Sequence, residues 1–154
     1  MNDQLWWDDI QPGDSFATGH HVVMRDDVID FATRYDPQPY HIDDAAAAAN
    51  PIFGRLSACG LHSFAMATRL VYDAFVANGI KPVAGGGIDA LRFERPVYPG
   101  DTLSGSVVVE GVRPLKSRAD RGLVQMRMQI GNQQGETVLH YTSTLFLPRR
   151  DASA

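Results

Sequence analysis

The chain has 154 residues, 44% of them apolar and 21% charged, with a formal net charge of −4; that is one domain of ordinary globular composition with room for a real core. The acidic balance argues against a nucleic-acid partner, and no apolar run approaches the ~18–20 residues of a membrane span. One cysteine, Cys59, excludes a disulfide framework and a cysteine-based zinc site.

The acidic opening MNDQLWWDD lacks the apolar region of a signal peptide, so a cytoplasmic location is expected. No repeat or composition break divides residues 1–154, and the ordered core is expected over about residues 6–148. The polar tail RRDASA after Pro148 is expected to fray.

Asp14 to Met24 mixes Phe16, Val22 and Val23 with polar residues and reads as one strand. Residues 26–35 carry Val28, Ile29, Phe31, Ala32 and Tyr35 at helical spacing behind Asp26 and Asp27. Pro37 ends that helix, because the residue before a proline avoids helical backbone. Asp43-Asp44 can cap a short helix over Ala45–Ala49, which Asn50-Pro51 ends.

Residues 61–77 form the most informative helix. Leu61, Phe64, Met66, Leu70, Val71 and Phe75 leave little polar surface, and His62, Arg69 and Asp73 stack on one narrow stripe. A helix apolar around most of its circumference is buried. Asn78-Gly79 ends it. The rest reads as four strands: one through Leu91 and Phe93, a valine-rich one over 102–113, one in which Val124, Met126, Met128 and Ile130 alternate with polar residues, and one over 137–147. Consecutive strands joined by short turns make an antiparallel sheet. A long apolar helix across it makes an α+β domain. Such a sheet keeps open edges, which are usually paired or covered, so a dimer is expected.

Two stretches carry candidate chemistry. In YDPQPYHID, residues 35–43, Pro37 and Pro39 stiffen a non-helical segment that holds Asp36 and His41. In FGRLSACGLH, residues 53–62, Gly60 starts the buried helix. Amides at a helix N-terminus have no intrahelical partner and carry partial positive charge. They can stabilise an oxygen that becomes negative during a reaction. A base, an acid and such a donor are the parts needed to add water across a double bond conjugated to a carbonyl.

These two stretches, with GGIDALRFERPVYPGDTL at residues 86–103, resemble the MaoC-like hydratases and dehydratases over about residues 6–148. The resemblance implies a single hotdog domain, an antiparallel sheet wrapped around a long central helix. It implies a trans-2-enoyl thioester of coenzyme A or an acyl carrier as substrate, hydrated reversibly to the (R)-3-hydroxyacyl thioester. Asp36 and His41 would hold one water between them, and the Gly60 amide would bind the thioester oxygen. Tyr40, Phe53, Arg55, Leu61, His62 and Phe64 would contact the substrate, and Tyr72 would help shape the acyl pocket. Neither a metal nor a redox cofactor is implied, and a homodimer or higher assembly is. Competing readings on the same fold are an acyl-CoA thioesterase and a non-catalytic acyl-thioester-binding subunit.

The chain departs from the family pattern at Gln38, where many members have Asn. It departs again at Met24, where the family has a Ser or Thr cap. Ala65 aligns with a serine that steadies the site in some members; Ser63 is the alternative source of that hydroxyl. Cys59 reads as a packing residue rather than a nucleophile. His20 and His21 face opposite ways on a strand and make poor joint ligands. Gly85-Gly86-Gly87 precedes a strand rather than a helix, which suits a bend at a sheet edge and not a nucleotide loop. Arg113, Lys116, Arg118 and Arg121 read as a solvated hairpin tip.

Overall fold

Period-two burial organises the C-terminal half of the protein. The structure is a computed structural model and describes residues 3–150. In chain order its elements are β1 (Ser15–Ala17), β2 (His21–Val22), α1 (Arg25–Tyr35), α2 (Pro39–Ile42), α3 (Asp44–Ala49), α4 (Gly60–Ala77), β3 (Ala84–Phe93), β4 (Thr102–Leu115), β5 (Arg118–Gly131) and β6 (Thr137–Pro148). Along β5, Val124, Met126, Met128 and Ile130 are buried while Gln125, Arg127 and Gln129 are exposed. The buried face meets α4, whose Met66, Ala67, Leu70, Val71, Ala74 and Phe75 are themselves buried. Each large side chain taken out of water there contributes about 1.5–3 kcal/mol. Phe64 of α4 meets Tyr141 of β6 edge-on, ring centroids 5.0 Å apart. Burial pushes the Tyr141 hydroxyl up to about 12, against a hydrogen bond with Thr68. This is the expected α+β arrangement, an antiparallel sheet across a long helix.

Three expectations change. The single strand over Asp14–Met24 is two short ones, β1 and β2, which pair successively with β4. Thr18 and Gly19 break the run: the Thr18 N–H still donates to the Gly105 carbonyl at 2.9 Å, but the Thr18 hydroxyl, in place of a backbone carbonyl, accepts the Gly105 amide at 2.7 Å. The last four strands are not a simple meander, because the sheet order is β1-β4-β5-β6-β3. β3 lies at the far edge against β6, and Glu94–Asp101 crosses back to β4. Pro96 and Pro99 deny that connection the geometry of a hairpin, and Val97 anchors it in the core, its carbonyl accepting the Ala58 amide at 2.8 Å. Lastly, the tail does not fray at once after Pro148. Arg149 pairs with Asp8 at 2.9 Å and Arg150 with Asp9; the tail's remainder, 151–154, lies outside the described residues.

The caps follow the sequence. The Asp43 carboxylate accepts the Ala46 amide at 2.8 Å and starts α3. Met24 gives α1 no side-chain cap, as its chemistry requires. At the far end of α4, Gly79 takes a φ of 70°, which glycine alone adopts without strain.

Candidate active site

The segment from α1 to α4 wraps the N-terminal end of the central helix. The reading of YDPQPYHID as wholly non-helical is corrected here: Pro39–Ile42 form one helical turn, α2, and His41 lies in it. Proline at the first helical position loses nothing, because its missing N–H would have had no partner. Gln38 before it stays extended, with φ −63° and ψ 135°. The two prolines therefore fix the entry to a turn that presents His41 inward.

His41 is buried, and its Nδ1 lies 2.8 Å from the Ser57 carbonyl oxygen. A carbonyl only accepts, so Nδ1 carries the proton and donates it. That leaves the lone pair on Nε2, which makes the ring a base rather than an acid in its neutral form. Tyr40 packs edge-on at 4.5 Å and Phe53 at 5.5 Å between ring centroids, which holds the imidazole in place.

The ring faces a cavity of about 330 Å³ whose walls include Phe53, Gly60, Ser63, Phe93 and the Glu94–Val97 connection. Gly60 is the first residue of α4, and Cys59 before it makes no side-chain cap. The Gly60 amide thus has no partner among the described residues. It carries the partial positive charge of the helix start into the cavity that His41 lines. The structure brings His41 and Gly60 together there, as the sequence predicts.

Asp36 is not one of the lining residues. It follows α1 directly, half-buried, and its carboxylate bonds to no other described residue. Its charge is felt at Cys59, beside Gly60. There burial pushes the thiol up, the Asp36 charge adds to that, and the Leu61 and His62 amides oppose it. A fully buried thiol with a raised pKa is a packing group. Of the two candidate positions for the helix hydroxyl, Ser63 lines the cavity and Ala65 is exposed. The Ser63 hydroxyl donates to the Cys59 carbonyl at 3.3 Å.

The expected substrate contacts divide. Phe53 lines the cavity, and Tyr40 supports it by stacking on Phe53 at 5.2 Å. Arg55 instead lies over the Tyr98 ring, 3.9 Å from its centroid. Leu61 points to solvent. Phe64 belongs to a second, apolar cavity of about 440 Å³ along the flank of α4, with Thr68, Tyr72 and Ile88. His62 does not share the solvent stripe of Arg69 and Asp73. It is 7% exposed and stacks on Phe31 of α1 at 4.7 Å. Burial pushes its pKa down, opposed by the charge of Asp27 and aided by His21. Equal spacing on a helix gives equal direction, but α1 covers only the first turn. Two groups were missed in the sequence, the Ser57 carbonyl that holds His41 and Phe93 in the cavity wall. The first carries no side-chain signal, and the second reads as an ordinary strand residue.

A family model described as the MaoC like domain matches residues 9–128. The chain belongs to this family. A crystal structure of a MaoC-like dehydratase from Rhodospirillum rubrum superposes with a TM-score of 0.84 at 35% identity, covering 95% of this chain and 98% of that one. The MaoC fold is therefore the hotdog fold expected. The protein MaoC of Klebsiella aerogenes is 37% identical over 99 residues, 64% of this chain and 28% of that protein. A mesaconyl-CoA hydratase of Cereibacter sphaeroides is 36% identical over 102 residues, 63% of this chain and 29% of that protein. The chain thus spans under a third of these two longer MaoC relatives.

Proposed function

We propose that this protein adds water reversibly to a trans-2-enoyl thioester, of coenzyme A or an acyl carrier, giving the (R)-3-hydroxyacyl thioester. The observation that carries the reading is the shared cavity of His41 and Gly60: a neutral imidazole with a free Nε2 beside an uncapped helix amide. Relatives named as hydratases and dehydratases support the reaction class.

The thioester oxygen accepts the Gly60 N–H. That draws electron density from the alkene and makes its β-carbon electrophilic. A water held by His41, with Asp36 as the second acceptor, loses one proton to Nε2 as its oxygen bonds to the β-carbon. The π electrons move toward the thioester oxygen, where the helix start stabilises the developing charge. The α-carbon then takes the proton from the same face, and imidazole is neutral again. No atom or charge is left over.

A second copy of the chain is the proposed protein partner. β3 is an edge strand, and Ile88 on it is exposed and shares a cavity wall with the exposed Tyr72 of α4. An edge flanked by apolar side chains is a surface that another chain covers. Sedimentation at twice the chain mass is expected, and a monomer at all concentrations contradicts it.

The test is loss of the conjugated-thioester absorbance with short, long and branched enoyl-CoA substrates. Wild type should consume at least one, and His41→Ala or Asp36→Asn should lose roughly 10²–10⁴-fold in kcat. Release of free thiol without hydration would replace this reading with a thioesterase. Silence in both assays would favour a non-catalytic binding subunit.

A further inference from the structure

The first residue of α4 is glycine for a reason its own backbone does not supply. Gly60 has no left-handed φ, and alanine is the better helix residue. What excludes a side chain is a neighbour. A Cβ on Gly60 would lie 2.9 Å from two ring carbons of Phe93 and 3.2 Å from a third. The Phe93 ring therefore lies directly over the start of the helix.

Phe93 reaches that place through an irregularity in β3. Ile88 pairs with Ser143 and Asp89 with Thr142, whereas Arg92 pairs with His140 and Phe93 with Leu139. From Asp89 to Arg92 is three steps on β3, against two from Thr142 to His140 on β6. One extra residue has been inserted. In a regular strand Ile88 and Phe93, separated by an odd number of residues, would face opposite sides. With the insertion both face α4, as do their buried partners Ser143 and Leu139. Ala90 takes up the shift at a φ of 52°, a left-handed backbone that is costly for alanine. Bulges beside active sites commonly re-aim a side chain in this way.

The chain thus keeps a strained alanine to hold a phenylalanine that remains 50% exposed. Phe93 lies outside the buried core. What it does touch is Gly60, and it shares the cavity wall with His41 and Ser63.

We propose that Phe93 is a positioning residue: aimed by the Ala90 bulge, its ring presses an acyl thioester onto the free Gly60 amide and reserves that position for glycine. The reaction rests on the hydratase reading, but the placement of the thioester does not. A flat aromatic face suits a planar thioester. It also keeps water from the Gly60 N–H, where a hydrogen bond to a developing charge is stronger in a drier setting.

The experiment has a binding arm and a kinetic arm. In the first, ¹⁵N-labelled protein is titrated with a saturated acyl-CoA, which binds without reacting. The Gly60 amide proton should move downfield in wild type and in Phe93→Tyr, and lose most of that shift in Phe93→Ala. In the second, Phe93→Ala should lose roughly 10- to 100-fold in kcat through misplacement of the reacting group, with a smaller change in KM. Gly60→Ala should cost more in wild type than in the Phe93→Ala background, where the clash is gone. Thermal melts of every variant check that it is folded. A Gly60 shift that survives Phe93→Ala overturns the proposal, and so does a wild-type Gly60 amide that ignores the ligand. A wild type that shows the shift and no hydration sinks the hydratase reading alone, and the shift in Phe93→Ala still decides the role of the ring.

Discussion

The two ends of α4 are built in opposite ways. At the C-terminal end nearly every carbonyl is claimed. The Asn78 amide bonds to the carbonyls of Ala74 and Phe75, its side chain donates to Ala74 at 2.8 Å, Gly79 donates to Val76, and Ile80 returns to Phe75 at 2.9 Å. A bridge from Leu5 to Ile80 then ties the end to the N-terminal segment. At the N-terminal end Cys59 supplies no cap, and the Gly60 amide opens onto a cavity lined by a histidine. Helix ends are normally satisfied one way or another. An end left open beside a base, on a helix sealed at its other end, is what the proposed thioester contact requires.

That contrast can be attacked from both sides. The largest effect is expected at the sealed end. Gly79→Ala would place a Cβ 2.2 Å from the Asp3 carbonyl oxygen at a φ of 70°. It should destabilise the protein by about 2–4 kcal/mol in chemical denaturation, with the activity per folded molecule preserved. At the open end the sign should reverse. Cys59→Ser supplies the missing cap, and should stabilise by about 0.5–1 kcal/mol. The same substitution should lower turnover several-fold, because the capped amides offer less positive charge to the thioester oxygen. A serine that raised stability and left turnover untouched would show that the open end has no catalytic use.

The smallest effect concerns pH. Burial against Phe31 favours neutral His62 in the folded protein, while the unfolded chain takes up that proton near pH 6.5. Between the two values the unfolded state holds more protons, so stability rises with pH there and falls as the pH drops below about 6.5. His62→Phe should remove this part of the acid slope, as read from denaturation midpoints between pH 5 and pH 7.

Much of the fold was legible because it rests on period and punctuation. Alternation marked β5, the apolar circumference marked α4, and Asp43 and Gly79 marked ends that the structure keeps. The cavity shared by His41 and Gly60 was legible where it depends on residue type, in the proline-stiffened segment and at the helix start. It was not legible where tertiary packing decides. His62 lies on the same helical stripe as Arg69 and Asp73, yet only it is covered by α1. Phe64 and Ser63 are adjacent, yet they face different cavities. The inward turn of Phe93 depends on one residue inserted near Ala90. The alternation of Leu91 and Phe93 with Arg92 and Glu94 is kept, but the insertion inverts the pattern between Ile88 and Phe93, which no alternation reveals. The path of β3 to the far edge was likewise hidden, since order within a sheet is set by long-range pairing.

The most direct test of the account is a crystal structure of the protein with a saturated acyl-CoA bound. The account predicts the thioester oxygen about 2.7–3.2 Å from the Gly60 nitrogen, with the third acyl carbon on the His41 side and the Phe93 ring against the thioester plane. A thioester lodged in the apolar cavity along the flank of α4, with the Gly60 amide facing only solvent, would contradict it.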